Sequence, residues 1–93
     1  MDTICILIGN SDNKLTQNEW AHFVEHMKQT LERIVYRVHF FGGSETYAPW
    51  QNCCWVCQIA PHRIDELKAD VSRCRGMFQQ ESVAVLVGET AFI

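Results

Sequence analysis

No stretch of this chain approaches the roughly 20 consecutive apolar residues that a membrane-spanning helix needs. The apolar run Ile4–Ile8 is short, and Asp2 rather than a basic flank precedes it, so no export signal is read here and a cytoplasmic protein is expected. Positive charge is also scarce: 8 Lys and Arg stand against 11 Asp and Glu, for a net charge of -3. The basic residues are scattered, with Arg73 and Arg75 the nearest thing to a patch. This argues against a nucleic-acid backbone as the main partner, because phosphate binding is driven by clustered Lys and Arg. The acidity is itself too weak to suggest mimicry of DNA. Glycine is sparse, at 5 residues. Ile8-Gly9-Asn10-Ser11 could offer backbone N–H groups to an anion, but a phosphate loop needs more glycines and a lysine at a fixed place, which Lys14 alone does not supply. No linker, low-complexity segment or repeat interrupts the 93 residues, which suffice for one domain spanning 1–93 and not for two.

What is present reads as regular secondary structure. Thr3–Ile8 is β-branched and apolar on both faces, which suits a central strand closed by Gly9-Asn10. Thr16-Gln17-Asn18-Glu19 matches a capping box, in which a hydroxyl and a carboxylate satisfy free N–H groups at a helix start. Trp20, Phe23, Val24, Met27, Leu31, Ile34 and Val35 then form one stripe of an amphipathic helix. Arg37–Phe41 alternates and predicts a second strand, ended by Gly42-Gly43, with a long tip to the hairpin through Gln51. Asn52–Ile59 predicts the third strand. Pro61 suits a helix start, and Ile64, Leu67, Val71, Cys74 and Phe78 give a second helical stripe, which Gly76 frays or caps. Ser82–Val87 predicts a fourth strand.

The order β-α-β-β-α-β resembles the ferredoxin-like α+β sandwich. Right-handed crossovers then predict a four-stranded antiparallel sheet in the order 4-1-3-2, with both helices on one face. The expected core is Ile4, Ile6, Ile8, Val38, Phe40, Trp55, Cys57, Val83, Val85 and Val87. Two candidate binding surfaces follow. One is the edge where loops 9–15, 42–52 and 76–81 emerge, with Asn10, Ser11, Asp12, Asn13, Glu45, Tyr47, Trp50 and Gln51 as contacts. There Tyr47 and Trp50 either cap the core or project as anchors. The other is the sheet face away from the helices, where the pleat is expected to place Cys5, Leu7, Arg37, His39, Phe41, Cys54, Val56, Ala84 and Leu86. That face is too apolar to sit in water as one patch, which predicts a homodimer, through the sheets or edge to edge, or another protein partner. A one-residue shift of register would exchange the two faces.

The chemical motifs read as structural. His22-Phe23-Val24-Glu25-His26 fits the inverted zinc-protease pattern. A metal needs at least a third ligand, however, and the pair is expected to point away from the apolar stripe into solvent. Cys54 and Cys57 have Cys-x-x-Cys spacing, yet residues i and i+3 of a strand face opposite ways and cannot chelate together. Cysteines number 5, an odd count, and are expected as reduced thiols acting as small hydrophobes. His39 and Cys54 on neighbouring strands could pair as base and nucleophile, but no third residue or oxyanion donor can be named. RNA-recognition motifs share this element order, yet their third strand needs a basic residue and exposed aromatics, where this one offers Cys54 and Val56. No cofactor, metal or catalytic residue is assigned.

Two segments, Gly9-Asn10-Ser11-Asp12-Asn13-Lys14-Leu15-Thr16-Gln17-Asn18-Glu19-Trp20 and Trp50-Gln51-Asn52-Cys53-Cys54-Trp55, resemble a group of small uncharacterised proteins of bacterial and phage genomes. The likeness covers the first two thirds of the chain and implies no activity. It does imply company: short proteins travelling with phages and mobile elements often bind and block a host protein. The residues predict a non-catalytic protein-binding module, and the resemblance implies one of a counter-defence type. A small-ligand binder or minor enzyme using the loop edge is the alternative.

Overall fold

The computed structural model describes residues 1–10, 12–45, 48 and 50–93. The chain runs β1 (Asp2–Gly9), α1 (Gln17–Glu32), β2 (Arg37–Gly43), β3 (Asn52–Ile59), a 3₁₀ turn (Pro61–Arg63), α2 (Ile64–Met77) and β4 (Ala84–Glu89). The sheet order is β2-β3-β1-β4, which is 4-1-3-2 read from the other edge, and every pair is antiparallel. The fold is the expected ferredoxin-like α+β sandwich with an open sheet.

The two-sided apolar character of Thr3–Ile8 is explained by position, since β1 lies between β3 and β4. One side of the pleat carries Ile4, Ile6 and Ile8, opposite Cys57, Trp55 and Cys53 of β3. This side meets Phe23, Met27 and Leu31 of α1 and Leu67, Val71 and Cys74 of α2 in one core. Each large side chain withdrawn from water in this way contributes about 1.5–3 kcal/mol.

The caps set where α1 begins. Glu19 N–H donates to Thr16 Oγ1 at 3.2 Å and Thr16 N–H donates to Glu19 Oε1 at 2.9 Å, so the capping box is formed. At the far end the helix stops at Glu32, before the β-branched Ile34 and Val35, and both their N–H groups turn back to Leu31 O. Ile34 stays buried, and its carbonyl accepts from the Arg63 guanidinium at 3.1 Å, which ties the end of α1 to the start of α2.

The second strand departs from simple alternation, and this corrects two expectations. A register shift lies between Val38 and Phe40, so His39 is the extra residue of a β-bulge. Val38 still pairs with Cys57 on the helix side. Beyond the bulge the faces exchange. Phe40, expected in the core, pairs with Val56 on the open side, while Phe41, expected on the open face, pairs with Trp55 on the helix side and stacks on it with ring centroids 5.0 Å apart; both rings stay about half exposed, at 55% and 50%. β2 continues through Gly42-Gly43, because a Cβ at Gly43 would run into the Asn52 carbonyl of β3. On β4, Val83 and Val85, expected in the core, are half-buried against it, and Val87, also expected there, is exposed on an edge strand that no further strand flanks among the described residues. Among the described residues, no helix is long and apolar enough to cross a membrane.

Candidate protein-interaction surface

The register fixes the open face row by row. One cross-strand row is Phe40, Val56, Cys5 and Leu86, the next is Gly42, Cys54, Leu7 and Ala84, and the last is Arg37, Gln58, Thr3 and Gly88. The first two rows contain no charge and hardly a polar atom, and only the third is polar. Cys5, Leu7, Cys54, Val56 and Leu86 thus stand where the pleat puts them, and Phe40 replaces Phe41. Phe40 is 55% exposed, Leu86 56% and Leu7 40%, so the patch is presented to solvent rather than folded away. A contiguous apolar surface of this kind is uncommon on a domain that stands alone in water.

The thiols on and behind this face are packing groups. Cys54 is on the open side and Cys57 on the helix side, opposite Leu7 and Ile4 respectively, so the Cys-x-x-Cys pair diverges as expected. Burial pushes the Cys57 thiol up to about 11, with smaller contributions from Cys5 and Cys54. Burial, then the neighbouring thiol Cys5, raises Cys54 as well. Neutral thiols are poor nucleophiles. All five cysteines are free. The pairing of His39 with Cys54 is not formed: Cys54 lies opposite Gly42, three residues along the strand from the bulge.

The loop edge is assembled as expected, but from different roles. Asn10 N–H donates to Gln51 O at 2.8 Å, and Lys14 Nζ lies 3.8 Å from Asp12 and 3.4 Å from Glu81, so all three connections meet. Asn10 and Gln51, expected as contacts, are buried at 1% and 5% exposure. The Asn10 amide donates to Leu15 O at 3.1 Å and Gln51 Oε1 at 3.2 Å, and its Oδ1 accepts from Leu15 N–H at 3.0 Å. Gln51 Nε2 donates to Gln17 Oε1 at 2.8 Å. These two amides satisfy one another and the buried backbone of Leu15, and they are scaffold rather than binding groups. Asp12 Oδ1 accepts from Lys14 N–H at 3.2 Å, and Asn13 adopts a left-handed φ of 58° that closes the turn. The Glu45 side chain is exposed, and its carbonyl accepts from Ala48 N–H at 3.0 Å. Trp50 is 61% exposed and does not cap the core. Ser11 and Tyr47, the remaining expected contacts of this edge, lie outside the described residues.

The histidine pair on α1 divides. His22 is exposed as expected, but His26 is not in solvent: it is half-buried, with its ring set edge-on to Phe78 at 5.9 Å. At i+4 from His22 it turns toward the flank of the stripe, where α2 ends and Phe78 stacks on Phe23 at 5.0 Å. Among the described residues, no three His, Cys, Asp or Glu side chains cluster as metal ligands would.

No protein-family model matches the chain, and no characterised protein matches it either. The reading therefore rests on the open face itself. Its bulge was not legible in the order of residues, because Phe40 and Phe41 are the same residue type and either could have faced in.

Proposed function

We propose that this chain is a small non-catalytic protein-binding module, acting in the cytoplasm as a homodimer, that docks a partner protein on the open face of its sheet. The observation that carries this reading is the pair of uncharged rows from Phe40 to Leu86 and from Gly42 to Ala84, left uncovered on one side of a sheet whose other side holds the core along β1 and β3. Such a face fits a flat, apolar, uncharged patch on the partner, and the exposed Phe40 and Leu86 are its anchors. Arg37 at the margin would set orientation rather than affinity. The resemblance to small phage and bacterial proteins adds the direction of action: the partner is a host protein that this one blocks.

A ligand site or minor enzyme at the loop edge has less behind it. Asn10 and Gln51 commit their polar groups to the fold, and Asp12 and Glu81 share the single ammonium of Lys14. The exposed Trp50 is the one feature that favours it.

The test compares capture of a host protein by the immobilised wild-type chain and by Leu7→Lys and Phe40→Lys variants whose folding is verified by circular dichroism. Capture of one stoichiometric protein by wild type, lost in both variants, is expected. Capture that survives both substitutions, or that is lost only on changing Trp50→Ala, would overturn the assignment of the open face.

A further inference from the structure

The two edges of the sheet are built differently. β2 is interrupted by the bulge at His39 and carries Arg37, both of which discourage pairing with another chain. β4 has no bulge, and its one charge, Glu89, stands at its last position. Ala84–Glu89 runs in unbroken register along β1 with no proline, lysine or bulge, and its Leu86 and Val87 are exposed. Its outer backbone groups face no strand among the described residues.

We propose that β4 is where a second copy of this chain docks, antiparallel, to make one continuous sheet across a twofold axis. This rests on the homodimeric reading above and says how the dimer is made. Opposed residues of an antiparallel pair share a face, so the twofold of a symmetric pair passes through a residue, not between two. Centred on Leu86, the pairing sets Val85 against Val87 of the second copy, Ala84 against its Gly88 and Val83 against its Glu89. The surface beside β4 fits that arrangement. A groove between α2 and β4 has an apolar floor of Val71, Val83 and Val85 and a basic rim of Lys68 and Arg75. Val87 of the second copy falls on the floor, and its Glu89 falls opposite Val83, next to Arg75, whose guanidinium donates to the neutral Gln80 O, Glu81 O and Ser72 Oγ and so keeps an uncompensated charge. By symmetry the acid meets the base twice.

The neighbouring registers fit less well. Centring on Val85 sets Glu89 against Glu81 of the second copy, a like-charge contact that is destabilising. Centring on Val87 sets Glu89 against Val85, deeper over the apolar floor. The Leu86 register also brings the two Leu86 side chains together on the open side. The two apolar faces then become one surface, which doubles the area offered to a partner.

Light scattering after size exclusion tests this on the full chain. Wild type is expected at twice the 10.8 kDa chain mass. Val87→Lys, which puts an ammonium on the shared edge, is expected at the single-chain mass with an unchanged circular dichroism spectrum. Glu89→Arg and Arg75→Glu are each expected to weaken dimerisation roughly tenfold at low salt, since two modest ion pairs are lost together. Combining them is expected to restore it, which a merely structural role for either residue would not do. A wild-type chain that is monomeric at micromolar concentration would overturn the proposal. So would a dimer that survives Val87→Lys but is lost in Phe40→Lys, because that dimer packs face to face. Leu7→Lys, which is expected to abolish partner capture and leave the dimer intact, separates failure of this proposal from failure of the open-face reading.

Discussion

Replacing Asn10 by Ala is expected to cost this protein a large part of its stability, although the residue lies in a loop. Asn10 is 1% exposed and its side chain makes three hydrogen bonds, two to the backbone of Leu15 and one to Gln51. Leu15 is itself buried, so its freed N–H and C=O cannot turn to water. Each neutral bond is worth about 1 kcal/mol net, and each buried group left unpaired costs about 1–3 kcal/mol. Because the groups freed are neighbours and can partly relax, the loss is expected at about 2–4 kcal/mol, against the roughly 5–15 kcal/mol that natural domains possess. For a domain of this size that lowers the melting temperature by roughly 10–25 °C. Urea unfolding followed by far-ultraviolet circular dichroism measures it, with the midpoint shifting and the slope unchanged. Asn10→Asp keeps the acceptor for Leu15 N–H but sets a carboxylate against two oxygen acceptors, and is expected to be at least as damaging at pH 7. A loss under about 0.5 kcal/mol for Asn10→Ala would refute the reasoning, since the amide cluster would then not be holding the loop edge.

Other outcomes follow from single sites. Phe41 is half exposed, so Phe41→Ala is expected to destabilise by only about 1–2 kcal/mol through its lost packing on Trp55, whereas Phe40→Ala is expected to leave stability within about 0.5 kcal/mol and to weaken partner capture; equal effects on stability would contradict the bulge. Gly43→Ala is expected to cost more than about 1 kcal/mol by chemical denaturation, because the new methyl meets backbone of Asn52 that cannot swing aside. The folded protein holds the Cys57 thiol at about 11, above its ordinary 9.0, so the stabilisation is whole below pH 9 and is lost as pH rises toward 11. Cys57→Val is expected to flatten that alkaline decline by about 2 kcal/mol in urea titrations between pH 8 and 11. At the acid end, the Thr16 hydrogen bonds hold the Glu19 carboxyl below its usual range. The largest share comes from the Thr16 backbone N–H, which no side-chain change at 16 removes, so the test is Glu19→Gln, expected to reduce the loss of stability seen as pH falls through that range, read from melting temperature against pH.

The sequence was most legible where one physical rule acted alone. Strand pairing followed from the βαββαβ order and the handedness of crossovers, and the capping box at Thr16 and Glu19 formed as its spacing required. Legibility failed where tertiary context decided. The pleat rule assigned faces correctly along β1 and β3 but could not see the extra residue at His39, because a bulge is chosen by the neighbouring strand rather than by local propensity. Asn10 and Gln51 looked like binding residues, as polar side chains in loops commonly do. Their partners lie 41 residues apart in the chain, and nothing local marks them as a buried pair. His26 was placed in solvent by helix periodicity, which ignores what the end of α2 brings to that flank.

The central claim, that the open sheet face receives a partner protein, is tested most directly by placing a photo-crosslinking side chain at Val56, in the middle of the apolar rows, and another at Lys28, which is exposed on α1. After illumination in host lysate, one adduct of fixed mass heavier than two chains is expected from position 56 and none from position 28. An adduct from position 28 alone, or a self-adduct of two chains from position 56, would contradict it.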